Sequence, residues 1–144
     1  MNDIVCSGTL FYSKATGRFL FLLRRNGKTA GTWGIVGGRQ EQFDQSNFEG
    51  LKREISEEIG QIPTVRKTIP LELFVSKDDR FFYHTYLMIV DDEFIPKLNN
   101  EHSGWAWCSI DALPKPLHQG LRNSLTNKTT RTKLQTVFDI IDVI

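Results

Sequence analysis

Cysteine is scarce: the 144 residues hold two, Cys6 and Cys108, far apart in the chain. Neither belongs to a CxxC or Cys/His spacing, which argues against a disulfide framework and a zinc site. Both read as reduced, buried thiols, as in a cytoplasmic protein. Charge of one sign is also lacking. Eighteen basic residues against 17 acidic give a formal net charge of +1, and no polybasic block stands out. Bulk nucleic-acid binding is therefore not expected, although a local cluster could still hold a small anion. Long apolar runs are missing. Phe19-Leu20-Phe21-Leu22-Leu23 falls far short of the roughly 18 residues that span a membrane. The opening MNDIVCSG lacks the basic and apolar regions of a signal peptide. GxGxxG, P-loop and Ser/His/Asp patterns are absent, as are repeats, low-complexity tracts and linkers.

What remains is an ordinary globular composition, 40% hydrophobic and 24% charged, long enough for one domain over residues 1–144 with a real core. Ile4 to Tyr12 and Arg18 to Arg25 read as strands joined by the turn Lys14 to Gly17. Asn26 to Thr32 reads as a loop and Trp33 to Val36 as a short strand running into Gly37-Gly38. Asn47 to Ile59 reads as a helix. Val65 to Lys77, interrupted at Pro70, and Arg80 to Val90 read as strands turning at Asp78-Asp79. Asp91 to Ser103 is expected to be loop and Trp105 to Ile110 a strand. A short helical turn is expected from Asp111, ending at Pro114. A C-terminal amphipathic helix is expected from Arg131 to Val143, with Leu134, Val137, Phe138 and Ile141 at helical spacing. The pattern is mixed α/β, with helices layered on a sheet.

The densest chemistry lies between Gly38 and Gly60. On a helical wheel Phe48, Leu51, Ile55 and Ile59 share an arc of roughly 80°, a core-facing stripe. Glu54, Glu57 and Glu58 occupy a neighbouring arc of roughly 100°. Related as i, i+3 and i+4, they are adjacent and repel. Glu57 and Glu58 also sit in the last turn, where the helix dipole disfavours anions. Three glutamates alone are most often a solvated face; a bound divalent cation would relieve them. Carboxylate oxygens without Cys or His suit Mg²⁺ or Mn²⁺.

Arg53-Glu54-Ile55-Ser56-Glu57-Glu58-Ile59-Gly60 resembles the core of the Nudix box, G-x5-E-x7-R-E-U-x-E-E-x-G-U with U apolar. Trp33-Gly34-Ile35-Val36-Gly37-Gly38 and Glu101-His102-Ser103-Gly104-Trp105-Ala106-Trp107 also match that family. The resemblance covers nearly the whole chain and implies an α+β Nudix fold, a mixed sheet sandwiched between helices. Two departures stand out. Counted from Gly38, the upstream glutamate position holds Asp44, with one residue too many before Arg53; Gln45 keeps the spacing and loses the acid. Gln61 replaces the last apolar residue, which Ile62 could supply.

The resemblance implies a hydrolase of phosphoric anhydride bonds that uses Mg²⁺ (or Mn²⁺) and takes a small nucleotide substrate. Glu57, Glu58 and the Gly37 carbonyl would be metal ligands. Glu54 would bind metal or act as base, and Arg53 would orient the glutamates through a bidentate contact. Outside the motif, Arg53 reads equally well as a surface arginine paired with Glu49 or Glu57. Other candidates for the base are Glu101 and His102, each otherwise a plain loop residue. Arg24, Arg25, Gly38 and Arg39 are candidates for substrate contact. Trp33 could stack on a base but reads better as packing under the Gly37-Gly38 loop. Trp105 and Trp107 point to one sheet face and read as core. His118 could border the substrate. The favoured substrate is a nucleoside diphosphate linked to another group, such as ADP-ribose, a dinucleoside polyphosphate or FAD. The alternatives are a (deoxy)nucleoside triphosphate, as in pool-sanitising relatives, or a GDP-mannose-type sugar nucleotide attacked at carbon. A nucleotide-sensing module without catalysis is disfavoured, because all three glutamates are present. A homodimer is possible, and no membrane association is expected.

Overall fold

Alternation along the strands sets the architecture. The computed structural model describes residues 3–144; Met1 and Asn2, which open the MNDIVCSG segment, lie outside them. In chain order the elements are β1 (Ile4–Ser13), β2 (Phe19–Arg24), β3 (Trp33–Gly34), β4 (Val36–Arg39), α1 (Asn47–Ile59), β5 (Lys67–Val75), β6 (Phe81–Val90), β7 (His102–Cys108), α2 (Gln119–Thr126) and α3 (Lys128–Asp139), followed by a 3₁₀ turn at Ile141–Val143.

The strands form one mixed sheet, with neighbours in the order β3-β2-β1-β6-β5; β4 pairs with β1, and β7 with β2. The β1–β6 pair is parallel from Ile4↔Phe81 to Ser13↔Val90, and the other pairs are antiparallel. A parallel pair far apart in sequence needs a long crossover. Here that crossover holds β2 to β5 and α1.

Both faces of the central strands are covered, so their sequences read as continuous apolar runs. Leu10, Tyr12, Phe19, Phe21, Leu87 and Ile89 pack with Leu121 and Leu125 of α2 and Leu134 and Val137 of α3. Phe11, Leu20, Leu22, Met88 and Val90 pack on the other face with Leu51, Ile55 and Ile59 of α1. The expected mixed sheet between helices is thus present.

Several local expectations are corrected. A helix not expected from the sequence, α2, begins at Gln119. Helix α3 starts at Lys128, before Arg131, capped by the Asn127 side chain on Thr130 N–H, and ends at Asp139. From Asp111 there is a turn closed by Ala112 N–H on Ser109 O rather than a helix. Strand β7 starts at His102, because a shift between Leu23 and Arg24 lets Arg24 pair with His102. Ile62 is 63% exposed and does not supply the apolar anchor that Gln61 lacks. Among the described residues no helix is long and apolar enough to cross a membrane.

Candidate active site

Helix α1 is held at both ends. The Ser46 side chain caps it by accepting from Glu49 N–H, and left-handed Gly60 closes it with its N–H on Ser56 O. Both devices satisfy terminal backbone groups. With Leu51, Ile55 and Ile59 buried against the sheet, one side of the helix faces the β4 backbone, where the glycines matter. A side chain at Gly37 would collide with Ser7 O and Gly8 Cα, and one at Gly38 would meet the Glu54 carboxyl at 2.5 Å.

The three glutamates take three different positions. Glu58 is 3% exposed, and its Oε1 accepts from Gly37 N–H at 2.8 Å. Glu54 lies under Gly38 and takes Arg53 Nη1–H at 3.1 Å. Glu57 stays largely exposed and shares the same Nη1–H at 3.2 Å.

Arg53 connects the loop before α1 to these acids. Its Nε and Nη2 donate to the two Asp44 oxygens at 3.1 and 2.9 Å. Nη2 also donates to Arg39 O at 3.1 Å, and the Phe43 ring lies 5.3 Å from the guanidinium. Asp44 further accepts from Glu41 N–H at 2.8 Å. The bidentate partner of Arg53 is therefore Asp44, and Gln45 is exposed. Arg53 and the Glu41 amide hold the Asp44 carboxyl below its usual range.

The last members come from the start of β7 and the residue before it. Arg25 N–H bonds Glu101 O at 2.9 Å, and Arg24 pairs with His102. This ladder carries Glu101 and His102 to Glu58. One oxygen or nitrogen from each of Glu58, Glu101 and His102 lies within 4.8 Å of the others. His102 Nδ1 is 4.0 Å from Glu58 Oε2, and it is buried without a hydrogen-bond partner. Burial, helped by Arg24, holds the His102 imidazole below its usual range, against the pull of Glu101. Burial above all pushes Glu58 up to about 9, with the Glu101 and Glu54 carboxyls adding and the Gly37 amide opposing. A buried carboxylate among other acids is costly unless a cation joins it.

The other candidates are placed as follows. Arg24 Nε donates to Thr29 Oγ1 at 2.7 Å, and Arg25 is exposed. Arg39 is exposed next to Cys6, whose thiol is pushed up by burial. Trp33 bonds the 116–118 segment through its N–H to Pro116 O and its carbonyl to His118 N–H, and its side chain packs against the core cluster that holds Ile35. Trp107 is buried and donates its Nε1–H to Phe94 O at 3.0 Å, while Trp105 is 39% exposed. His118 caps α2, its Nδ1 accepting from Gly120 N–H at 3.1 Å. Sequence reasoning missed two residues here: Phe43, which lies on the Arg53 guanidinium, and Tyr83, whose Oη crowds Gly8 beside Gly37. Neither sits in a recognisable spacing.

A family model described as NUDIX domain matches residues 7–127. The NUDIX domain of Shewanella oneidensis NrtR, solved in complex with ADP ribose, superposes with a TM-score of 0.72 at 14% identity, covering 93% of this chain and 90% of that one. A binary complex of a C. elegans Ap4A hydrolase gives 0.70 at 18% identity, covering 93% and 98%. The MutT NUDIX hydrolase of Burkholderia pseudomallei gives 0.66 at 22% identity, covering 87% and 97%. No curated protein sequence matches.

Proposed function

The chain belongs to the NUDIX domain family, and from that premise we propose a divalent-metal-dependent hydrolase of a diphosphate bridge. Its substrate is a nucleoside diphosphate linked to a second group. The observation that carries this reading is Glu58, buried and uncompensated, with the unpartnered His102 Nδ1 and the Glu101 carboxylate beside it. The donor set, three carboxylates and a backbone carbonyl, is all oxygen and fits Mg²⁺ or Mn²⁺. Glu58, Glu54, Glu57 and the Gly37 carbonyl are the residues that would hold the ion. When bound, it supplies positive charge at the scissile diphosphate.

The protein's own groups do the rest. Arg53 holds Glu54 and Glu57 in place while Asp44 holds Arg53. Glu101 is the exposed acid of the cluster, whereas Glu54 is pinned under Gly38. Glu101 is therefore assigned as the base: it takes a proton from water as the water oxygen bonds to phosphorus, and the P–O bond to the leaving phosphate breaks. Arg24, Arg25, Gly38 and Arg39 contact substrate around this centre. Two structural neighbours support a linked substrate, one bound to ADP ribose and one named for Ap4A. Free thiols at Cys6 and Cys108 fit a cytoplasmic setting.

The test is a nucleotide panel incubated with Mg²⁺ or Mn²⁺ in ¹⁸O water. The expected result is AMP from ADP-ribose or a dinucleoside polyphosphate, with label in a phosphate product. Pyrophosphate released from triphosphates alone would move the substrate class, label in a sugar would mean attack at carbon, and no turnover would leave a binding module.

A further inference from the structure

Among the described residues one buried side-chain polar atom lacks a hydrogen-bond partner, His102 Nδ1. Buried polar atoms are almost always paired, so an exception asks for a cause. The ring is fixed in place. It opens β7 opposite Arg24, where the β2–β7 register shifts, and its side chain is 3% exposed. Nδ1 lies 4.0 Å from Glu58 Oε2. The other Glu58 oxygen, Oε1, is engaged by Gly37 N–H.

The 4.0 Å separation decides what can join the two atoms. It is too long for a direct hydrogen bond. A water bridging two bonds of about 2.8 Å would hold them roughly 4.5 Å apart. Two metal–ligand bonds of about 2.1 Å sum to roughly 4.2 Å, which leaves room for a dication. Burial and Arg24 hold the imidazole below its usual range, so the ring is uncharged at neutral pH. With its proton on Nδ1, a buried N–H has no acceptor in reach. With the proton on Nε2, the Nδ1 lone pair faces carboxylate oxygen, a repulsion that a cation reverses.

We propose that His102 Nδ1 is a ligand of the dication that Glu58 holds, and that this nitrogen makes the chain select a transition-metal ion such as Mn²⁺ over Mg²⁺. The inference rests on the metal reading above and goes beyond it. The carboxylates and the Gly37 carbonyl offer oxygen alone, which does not separate Mg²⁺ from Mn²⁺. An imidazole nitrogen does. Mg²⁺ takes oxygen and dehydrates reluctantly, whereas first-row transition metals accept imidazole. Glu101, exposed beside the pair, keeps its place as base.

The probe is Mn²⁺ alone, added to wild-type protein and to protein labelled with ¹⁵N in its histidine rings. Loss of the free-ion electron paramagnetic resonance signal reports binding, and pulsed spectra of the bound ion report nitrogen ligated to it. The expected result is imidazole-nitrogen modulation that shifts with the label and disappears in His102→Asn. In calorimetric titrations wild type should bind Mn²⁺ more tightly than Mg²⁺ by about tenfold or more, and His102→Asn should remove most of that margin. The chain has three histidines. If melting curves show His102→Asn to be unfolded, His84→Asn and His118→Asn must each keep the modulation, which leaves His102 as its source; loss in either overturns the proposal. Bound Mn²⁺ without nitrogen modulation in wild type also overturns it, and leaves the all-oxygen reading standing. So does modulation that survives in folded His102→Asn, or Mg²⁺ binding wild type as tightly as Mn²⁺. If Mn²⁺ stays free, the metal reading itself falls and the proposal falls with it.

Discussion

Glu58 is the buried carboxyl of the proposed site. On the wheel it lies about 20° from Leu51, at the edge of the apolar stripe, whereas Glu57 lies about 120° from Leu51. The same spacing that makes a three-acid cluster therefore buries one acid and exposes another. The consequence is a pH dependence of the metal-free protein. Glu58 sits at about 9 in the fold, raised chiefly by burial, against about 4.3 in an unfolded chain. Between those values the folded state keeps a proton that the unfolded state has released. The stability that Glu58 contributes in EDTA is thus fully present below about pH 4 and declines as pH rises towards 9. Melting temperatures across that range should fall in wild type and flatten in Glu58→Gln, which still accepts from Gly37 N–H. A flat wild-type profile would refute the buried, unpaired carboxylate.

At the scale of elements, the loop before α1 and the helix act as one unit through Arg53. Asp44→Asn should lower turnover by about 10- to 100-fold, the usual effect of losing an outer partner of a metal ligand set, whereas Gln45→Ala should leave it unchanged. Equal losses in both, measured as kcat/KM, would contradict the assignment of Asp44. Helix α1 was legible from its periodicity, with Phe48, Leu51, Ile55 and Ile59 on one arc. So was the strand expected from Arg18 to Arg25, which runs from Phe19 to Arg24. Helix α2 was not: it spans eight residues, opens beside Gly120, and buries only Leu121 and Leu125. That i, i+4 pair was the available signal, with His118 as cap. The start of β7 at His102 was hidden for another reason. It depends on pairing with Arg24, about 80 positions away, and no local pattern encodes such a contact. The Glu101–His102–Glu58 grouping was hidden with it, although each residue could be named as a candidate.

For the whole molecule, the site exists because two separately packed faces share one sheet. Phe21, fully buried under α2 and α3, lies on β2 between residues that pack on α1. Phe21→Ala should cost about 3–5 kcal/mol in denaturant unfolding and weaken the site only as the fold weakens. The same strand ends at Arg24, which aligns His102 with Glu58, and the parallel β1–β6 pair sets Tyr83 beside Gly8. The measurement that tests the central claim most directly is Mg²⁺-dependent turnover of ADP-ribose and a dinucleoside polyphosphate by wild type and Glu58→Gln, both verified as folded. Wild type should release a nucleoside monophosphate, and Glu58→Gln should be slower by about a hundredfold or more, since it removes cation-binding charge at the reacting phosphate. Equal rates in the two proteins, or wild-type turnover undiminished by EDTA, would contradict it.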